Sequence, residues 1–483
     1  MWLDWLRDGL YAMNLVVFAY FLVVNTSILT LMAFAVGELG RYRRRASFAG
    51  TAETYRSPLT SAVSVLMPAY NEAANVVAAV QAIAALRYPV FEIVVIDDGS
   101  TDDTFERLRD AFGLVEVPRV IPSDVPHRGR VRSVHVARNA PETLVVVRKE
   151  NGGKPDALNV GINTARQPLI CMVDADSLLD PDALLSVAKP FADDPVRVVA
   201  TGGVVRVANG CEVVAGRVVN VRMPRGWLPR VQVVEYLRAF LLGRTGWSRL
   251  GGLVIISGAF GLFRRDLLVE AGGLAHDCIG EDAELVVRLH RRLREQRRDY
   301  RVVFVAEPVS WSEAPSTLSV LSTQRRRWHR GLAEILARHR RMLGNPRYGR
   351  IGLAILPYYL IFELLAPVVE IGALGLVPLS LTVGAIDLNF AWRLLLVAYG
   401  YAVLVSLIAL TVEELSFRSY HRWRDLVAVI SAAVVENLGY RQFTAVARLR
   451  GAWAAIRGRE AVWGEMTRTG LMPGPDRRVA PPA

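Results

Sequence analysis

Between Asp8 and Glu38 the chain carries no charged residue, and no other feature limits its folding as much. A helix over that stretch is long enough to cross the ~30 Å of hydrocarbon in a bilayer. It has no basic segment ahead of it and no small-residue cleavage site behind it. It therefore reads as an anchor over 10–37, preceded by a short segment 1–9, and not as a cleaved signal. Arg41, Arg43, Arg44 and Arg45 follow in a linker over 38–61, and the positive-inside rule puts that end in the cytosol. Two more apolar stretches lie towards the other end. From 351 to 386 only Glu363 and Glu370 are charged, and from 394 to 412 nothing is. These predict a multi-pass protein of the cell (inner) membrane, and they exclude a soluble nucleotide-binding module.

The apolar run over 426–435 is about half of the ~20 residues a spanning helix needs. A full crossing there would also leave Arg441, Arg448, Arg450, Arg457 and Arg459 outside. The expectation is a region of transmembrane and re-entrant helices over 351–440 and a cytosolic tail over 441–483. Alternatively 351–386, broken by Pro367 and Pro378, crosses twice; both routes leave the tail inside.

The net charge of +12 is almost all arginine, since Lys149, Lys154 and Lys189 are the only lysines among 58 basic residues. In an apolar chain, such a balance fits cytosolic loops beside anionic membrane lipid. No nucleic-acid motif accompanies it, so no nucleic-acid partner is expected. Cys171, Cys211 and Cys278 are too few and scattered for a disulfide framework or a zinc site.

Over 62–315 the pattern changes to short β-branched runs at 63–67, 92–96, 144–147, 169–173 and 301–305, with helical or loop stretches between them. This reads as a parallel α/β sheet. Residues 71–86 suit a helix with Val76, Val77, Val80 and Ile83 facing the sheet. Ser100 and Asp103 suit a capping box. Residues 316–350 predict amphipathic interfacial helices, with Leu318, Leu321, Trp328, Leu332, Ile335 and Leu336 set against arginines.

Polar motifs fall at the ends of these runs, where α/β sheets bind ligands. Asp174 and Asp176 form a D-x-D after 169–173; two such carboxylates can hold a hard divalent cation, although solvated turns also produce the pattern. Asp97, Asp98, Gly99 and Ser100 follow 92–96. A carboxylate there can take a nucleobase or ribose, and the same residues also make an ordinary strand-to-helix turn. Asn151, Gly152, Gly153, Lys154 and Pro155 offer amides and an ammonium to a phosphate, or a plain turn. Gly280, Glu281 and Asp282 open the amphipathic segment 283–294. A carboxylate in a first helical turn is favoured as the anion and can serve as a base, or simply cap the helix. Gln324, Arg325, Arg326, Arg327 and Trp328 combine guanidinium groups with an indole for a sugar face, or form a membrane-surface helix.

Together and in this order, "DDGS", "NGGKPDALN", "DADS", "GED" and "QRRRW" resemble the processive branch of glycosyltransferase family 2. That branch includes cellulose, hyaluronan, chitin and poly-N-acetylglucosamine synthases. The resemblance covers 63–328 and its membrane flanks, and "PAYNE" at 68–72 matches the family's first nucleotide-side loop. It implies a cytosolic α/β GT-A domain, a Rossmann-like mixed sheet, joined to an α-helical transmembrane region. It further implies that Pro68, Tyr70, Glu72, Asp98, Lys154, Asp174, Gln324 and Arg327 bind a nucleotide-sugar donor. Within that set Asp98 contacts the base, uracil in most members. Asp174 and Asp176 would engage Mg²⁺ or Mn²⁺, Asp282 would deprotonate the acceptor hydroxyl, and Glu281 and Trp328 would meet the acceptor.

The chain departs from that pattern in three places. One span precedes the domain where well-known members often have two. Residues 115–140 are basic and loop-rich, outside the shared core. "WGEMTRTG" at 463–470 is similar to an ending of other membrane-bound relatives. The expected reaction is an inverting transfer, since a single displacement needs one base and no protein nucleophile. The expected product is a β-linked polysaccharide, exported with or without accessory subunits. Addition of one sugar to a lipid or short saccharide is the alternative, and Glu363 and Glu370 bear on it, as acids lining a sugar path or as structural acids. A silent membrane receptor or scaffold is the rival of another class; it would have been favoured by loss of a motif acid, and none is lost.

Overall fold

The computed structural model describes residues 2–46, 51–58, 60–214, 216–417 and 422–457. They fall into two units. One, built on a sheet, holds 41–222 and 250–314; the other, helical, holds 2–40, 223–249 and 315–457. Residues 223–249, inside the stretch expected as one catalytic domain, thus group with the helices. The "WGEMTRTG" stretch lies outside the described residues.

In chain order the strands are β1 (Val63–Ala69), β2 (Phe91–Asp97), β3 (Leu114–Glu116), β4 (Val131–Ala137), β5 (Leu144–Lys149), β6 (Leu169–Val173), β7 (Leu178–Leu179), β8 (Val198–Val207), β9 (Glu212–Val214), β10 (Arg217–Asn220), β11 (Phe260–Arg264) and β12 (Arg301–Ser312). The main sheet runs β3-β4-β5-β2-β1-β6-β11-β8-β12-β7, and β9 and β10 form a separate ribbon. All five strands expected from β-branched runs are present. The central four, β5-β2-β1-β6, are parallel as expected, and their unbroken apolar runs are buried on both faces.

The sheet as a whole is mixed, because β4 is antiparallel to β5 and β11 to both β6 and β8. The short link from Ala137 to Leu144 cannot hold the crossover that a parallel pair requires. On one face Val65 and Met67 pack with Val76, Val80 and Ile83 of helix Val76–Ala84 and with Leu184 and Val187 of helix Ala183–Asp193. On the other, helix Lys154–Thr164 lies so close that a Cβ on Gly161 would stand 2.9 Å from Ile96 Cδ1 and 3.0 Å from Leu66 Cδ1.

Three local expectations are corrected. The helix expected over 71–86 begins at Val76, because 70–75 form the turn after β1, with Asn71 at φ 56°. The Ser100–Asp103 capping box does not form: helix Thr104–Phe112 starts after Asp103, whose side chain caps nothing. Ser100 instead donates its N–H to Asp97 Oδ1 (3.0 Å) and accepts from Asn71 N (3.0 Å). Segment 115–140 is only partly loop, since β4 lies within it. Its remaining stretch is pinned to helix Lys154–Thr164: Val125 exchanges two hydrogen bonds with Asn163, and Pro126 O accepts from Asn159.

In the helical unit, Trp2–Arg41, Ala366–Val383 and Leu388–Phe417 are long and apolar enough to cross a membrane. The stretch 351–386 is two helical pieces, with Ile351–Leu364 ending before Leu365 and Pro367 in the first turn of the next helix, where its missing N–H costs nothing. Asn14 Nδ2 donates to Ser380 Oγ (2.7 Å), a polar tie between two of the apolar helices. Helix Trp423–Val435 has 13 residues, about 20 Å of rise, and a kink at Leu438 and Gly439 separates it from helix Arg441–Ile456. Glu370 pairs with Arg441 (2.7 Å) and Glu363 with Arg448 (3.4 Å).

Candidate active site

At the carboxyl ends of β1, β2, β5 and β6 the sheet unit gathers most of the residues singled out by sequence. The 68–72 loop is tied to the turn after β2, since Asn71 Oδ1 accepts from Thr101 N (2.8 Å) and Glu72 N donates to Thr104 Oγ1 (2.9 Å). This leaves Tyr70 49% exposed and Pro68 and Glu72 partly so. Gly99 has φ +73°, and a Cβ there would come within 2.7 Å of Asn151 N. Only glycine allows the two loops to close together.

Asp98 is buried with its oxygens fully engaged. Oδ1 accepts from Lys149 Nζ (2.5 Å) and Gly152 N (3.0 Å), and Oδ2 from Gly153 N (2.8 Å). Burial pulls its pKa up, while this ammonium and the two amides favour the anion. Asn151 Nδ2 donates to Asp98 O (2.9 Å). Sequence places Asp98 against a base; the structure places it first as the post around which the 151–154 loop is wrapped.

Helix Lys154–Thr164 starts at that loop, and Lys154 Nζ reaches Asp174 Oδ1 (2.5 Å) at the end of β6. Burial opposes its charge, but Asp174, Glu281 and Asp282 outweigh burial and raise its pKa. Helix Glu281–Glu295 begins beside it with Gly280 as N-cap. Asp282 accepts from Gly258 N through Oδ2 (2.8 Å) and from Ala283 N through Oδ1 (2.8 Å), which fixes the plane of its carboxylate. Glu281 is buried, and burial, with the Asp282 charge added, raises its pKa despite Lys154.

One carboxylate, Asp174, thus touches the ammonium, and the charges of Glu281 and Asp282 act on it from farther off. Among the described residues no group of three or more His, Cys, Asp or Glu is arranged to hold a metal by itself. The two oxygen-bearing carboxylates at 174 and 176, in a region with surplus negative charge, nevertheless fit a hard cation whose shell is completed by diphosphate and water.

Sequence reasoning passed over Lys149, Asp156 and Gly258. A Cβ on Gly258 would lie 3.2 Å from Lys154 Nζ and 3.4 Å from Asp282 Oδ2, yet nothing in local sequence marks that glycine. The loop carrying it is held through His290, whose Nε2 donates to Leu253 O (2.8 Å) while Nδ1 meets Tyr300 OH (2.8 Å). Burial drops that imidazole to about 4, so it is neutral at physiological pH.

Gln324, Arg327 and Trp328 belong to the helical unit, on helix Leu318–Arg338. Gln324 is buried and Trp328 is 42% exposed. The neighbouring Arg325, not singled out for a role, anchors this helix. It is bonded to Glu235 Oε2 (2.7 Å) and Tyr440 OH (3.3 Å), with its guanidinium 4.6 Å from the centre of the Trp328 ring.

Residues 60–331 of the 483 match the sequence profile described as "Glycosyltransferase like family 2". The chain belongs to that family. Among curated relatives of this glycosyltransferase, a poly-beta-1,6-N-acetyl-D-glucosamine synthase of Staphylococcus aureus (strain COL) is 28% identical over 278 residues, 57% of this chain and 56% of the relative. The corresponding synthase of Staphylococcus epidermidis is 27% identical over 276 residues, with the same coverage. The match therefore spans about half the length of these relatives. Among solved structures, the mannosyltransferase PcManGT from Pyrobaculum calidifontis, in complex with GDP-Man and Mn²⁺, matches with a TM-score of 0.49 and 19% identity, covering 89% of this chain and 100% of that one. Glucosyl-3-phosphoglycerate synthase from Mycobacterium tuberculosis matches with a TM-score of 0.35 and 19% identity, covering 60% and 83%.

Proposed function

We propose that this glycosyltransferase moves a sugar from a UDP-linked donor to a growing saccharide on the cytosolic side of a membrane, inverting the anomeric centre to give a β-linkage. The observation that carries the proposal is the contact of Lys154 Nζ with Asp174 Oδ1 (2.5 Å) at a place where the charges of Glu281 and Asp282 also act on the ammonium. The surplus negative charge there favours a divalent cation, Mg²⁺ or Mn²⁺, on Asp174 and Asp176, with Lys154 yielding part of its hold on Asp174. When bound, the metal would offset charge on the departing diphosphate.

In this reading Asp282 takes the proton of the acceptor hydroxyl, the hydroxyl oxygen bonds to the anomeric carbon, and the bond from that carbon to the diphosphate oxygen breaks. The amides of Gly258 and Ala283 hold the base in one orientation throughout, and such positioning contributes as much as basicity. Glu281, with its raised pKa, is the carboxyl that can keep its proton and donate to a sugar oxygen. Pro68, Tyr70, Glu72 and Asp98 are assigned to the nucleoside. Gln324 and Arg327 are assigned to the diphosphate and Trp328 to the acceptor, on their chemistry. The three apolar helices support a multi-pass membrane protein in contact with lipid, and the names of the curated relatives support a polymeric product, exported alone or with accessory subunits.

Purified protein incubated with a panel of UDP- and GDP-linked sugars in Mg²⁺ or Mn²⁺, followed by sizing of the product, tests the proposal. A long β-linked polymer is expected. A product extended by one sugar would instead support the second reading, transfer to a lipid or short saccharide. The pairing of Glu363 and Glu370 with arginines supports that reading, since it gives both acids a structural role. Absence of transfer from every donor would overturn both readings and leave a receptor or scaffold.

A further inference from the structure

We infer that Lys149 is a positioning residue that pre-forms the nucleotide-binding end of the sheet; the inference rests on the nucleotide-sugar reading above. Lys149 ends β5, and its side chain is 0% exposed, so it cannot itself meet a ligand. Its ammonium donates to Asp98 Oδ1 (2.5 Å) and Glu150 O (2.5 Å) and lies 2.9 Å from Asp156 Oδ2. Three acceptors for three N–H bonds is the full capacity of an ammonium. A buried cation is tolerated only when it is matched in this way.

Each carboxylate then holds backbone of its own. Asp98 takes the amides of Gly152 and Gly153, fixing the loop that leads into Lys154. Asp156 takes the amides of Arg128 (2.6 Å) and Gly129 (3.0 Å), fixing the 115–140 segment against the same helix. One ammonium therefore cross-links three stretches that are far apart in sequence: the turn after β2, the glycine-rich loop and the basic segment outside the shared core. The fit is close, since a Cβ on Gly129 would fall 2.4 Å from Glu150 O and 2.6 Å from Lys149 Nζ. A buried ion pair that served the fold alone would set melting temperature and leave nucleotide affinity unchanged. A positioning residue sets affinity, because the loop must be ordered before the diphosphate can use its amides and Lys154.

The test compares the full-length wild type with Lys149→Met and with the charge-balanced Lys149→Met/Asp156→Asn variant. Each is titrated calorimetrically with UDP and with GDP in Mg²⁺ and melted under the same conditions. In whichever variant melts cooperatively, Kd should rise by about tenfold or more, the scale of one lost charge-assisted hydrogen bond. A Kd within twofold of wild type would overturn the role. Should neither variant fold, hydrogen exchange on the nucleotide-free wild type decides: slow exchange at the Gly152 and Gly153 amides is expected, and rapid exchange overturns the pre-formed loop. A wild type that binds neither nucleotide would instead overturn the nucleotide-sugar reading and this inference with it.

Discussion

Both units bury charge, but they balance it differently. In the helical unit three acids are matched one to one: Glu235 with Arg325, Glu436 with Arg238, Glu370 with Arg441. Each pair joins different helices, as expected where unmatched charge is costly. In the sheet unit Lys149 is matched as tightly, yet nearby Lys154 pairs with Asp174 while the charges of Glu281 and Asp282 also act on it. Matched pairs hold helices together. The acid-rich cluster is where the proposed reading would seat a cation and a reacting hydroxyl.

The sharpest way to break this contrast is at the proposed base. Asp282→Asn should lower transfer by ~10²–10⁴, the usual range of a general base, while UDP binding stays near wild type. Transfer within threefold of wild type would remove Asp282 from the chemistry. Next in size is a matched pair: Glu370→Gln should cost about 1–3 kcal/mol of stability, seen as earlier thermal unfolding in detergent. Activity per folded molecule should be unchanged, and its selective loss would return Glu370 to a sugar path.

Within the acid-rich cluster, Asp176→Ala should raise the Kd for UDP in Mn²⁺ by about tenfold and leave metal-free binding alone. Equal affinity with and without Mn²⁺ in both proteins would reduce the D-x-D to a turn. The smallest effect expected is on pH dependence. Because Glu281 has a raised pKa when folded, the folded state holds its proton over a window in which the unfolded state has lost it, so stability falls as pH rises from the ordinary glutamate range through the raised value. Glu281→Gln lacks that proton, so its stability relative to wild type should improve as pH rises from about 5 to about 7. A constant difference between the two melting curves across that range would show that Glu281 is charged in the fold.

Legibility in the sequence followed range. The central strands were readable because each is an apolar β-branched run buried on both faces, and the three apolar helices because they carry almost no charge. Asp174 and Asp282 could be singled out as candidates because their motifs are contiguous. Lys149 showed only as a scarce lysine, since its partners lie 51 and 7 positions away. The amide that orients Asp282 comes from a glycine 24 positions earlier. Ser100 misled because its local pattern fits a helix cap, while a neighbouring loop offered it a better partner in Asn71.

What the sequence determined by itself was therefore membership and material: the apolar lengths that suit a bilayer, the order of the strands that build a sheet, and the acids and lysine of a transferase. What only the tertiary structure decided was the use of each charge. Asp98 and Lys154 belong to similar polar motifs at strand ends. One is enclosed by three donors, and the other pairs with Asp174 in the field of two further acids. A charge takes its role from the groups folded around it, and those groups are distant in the chain.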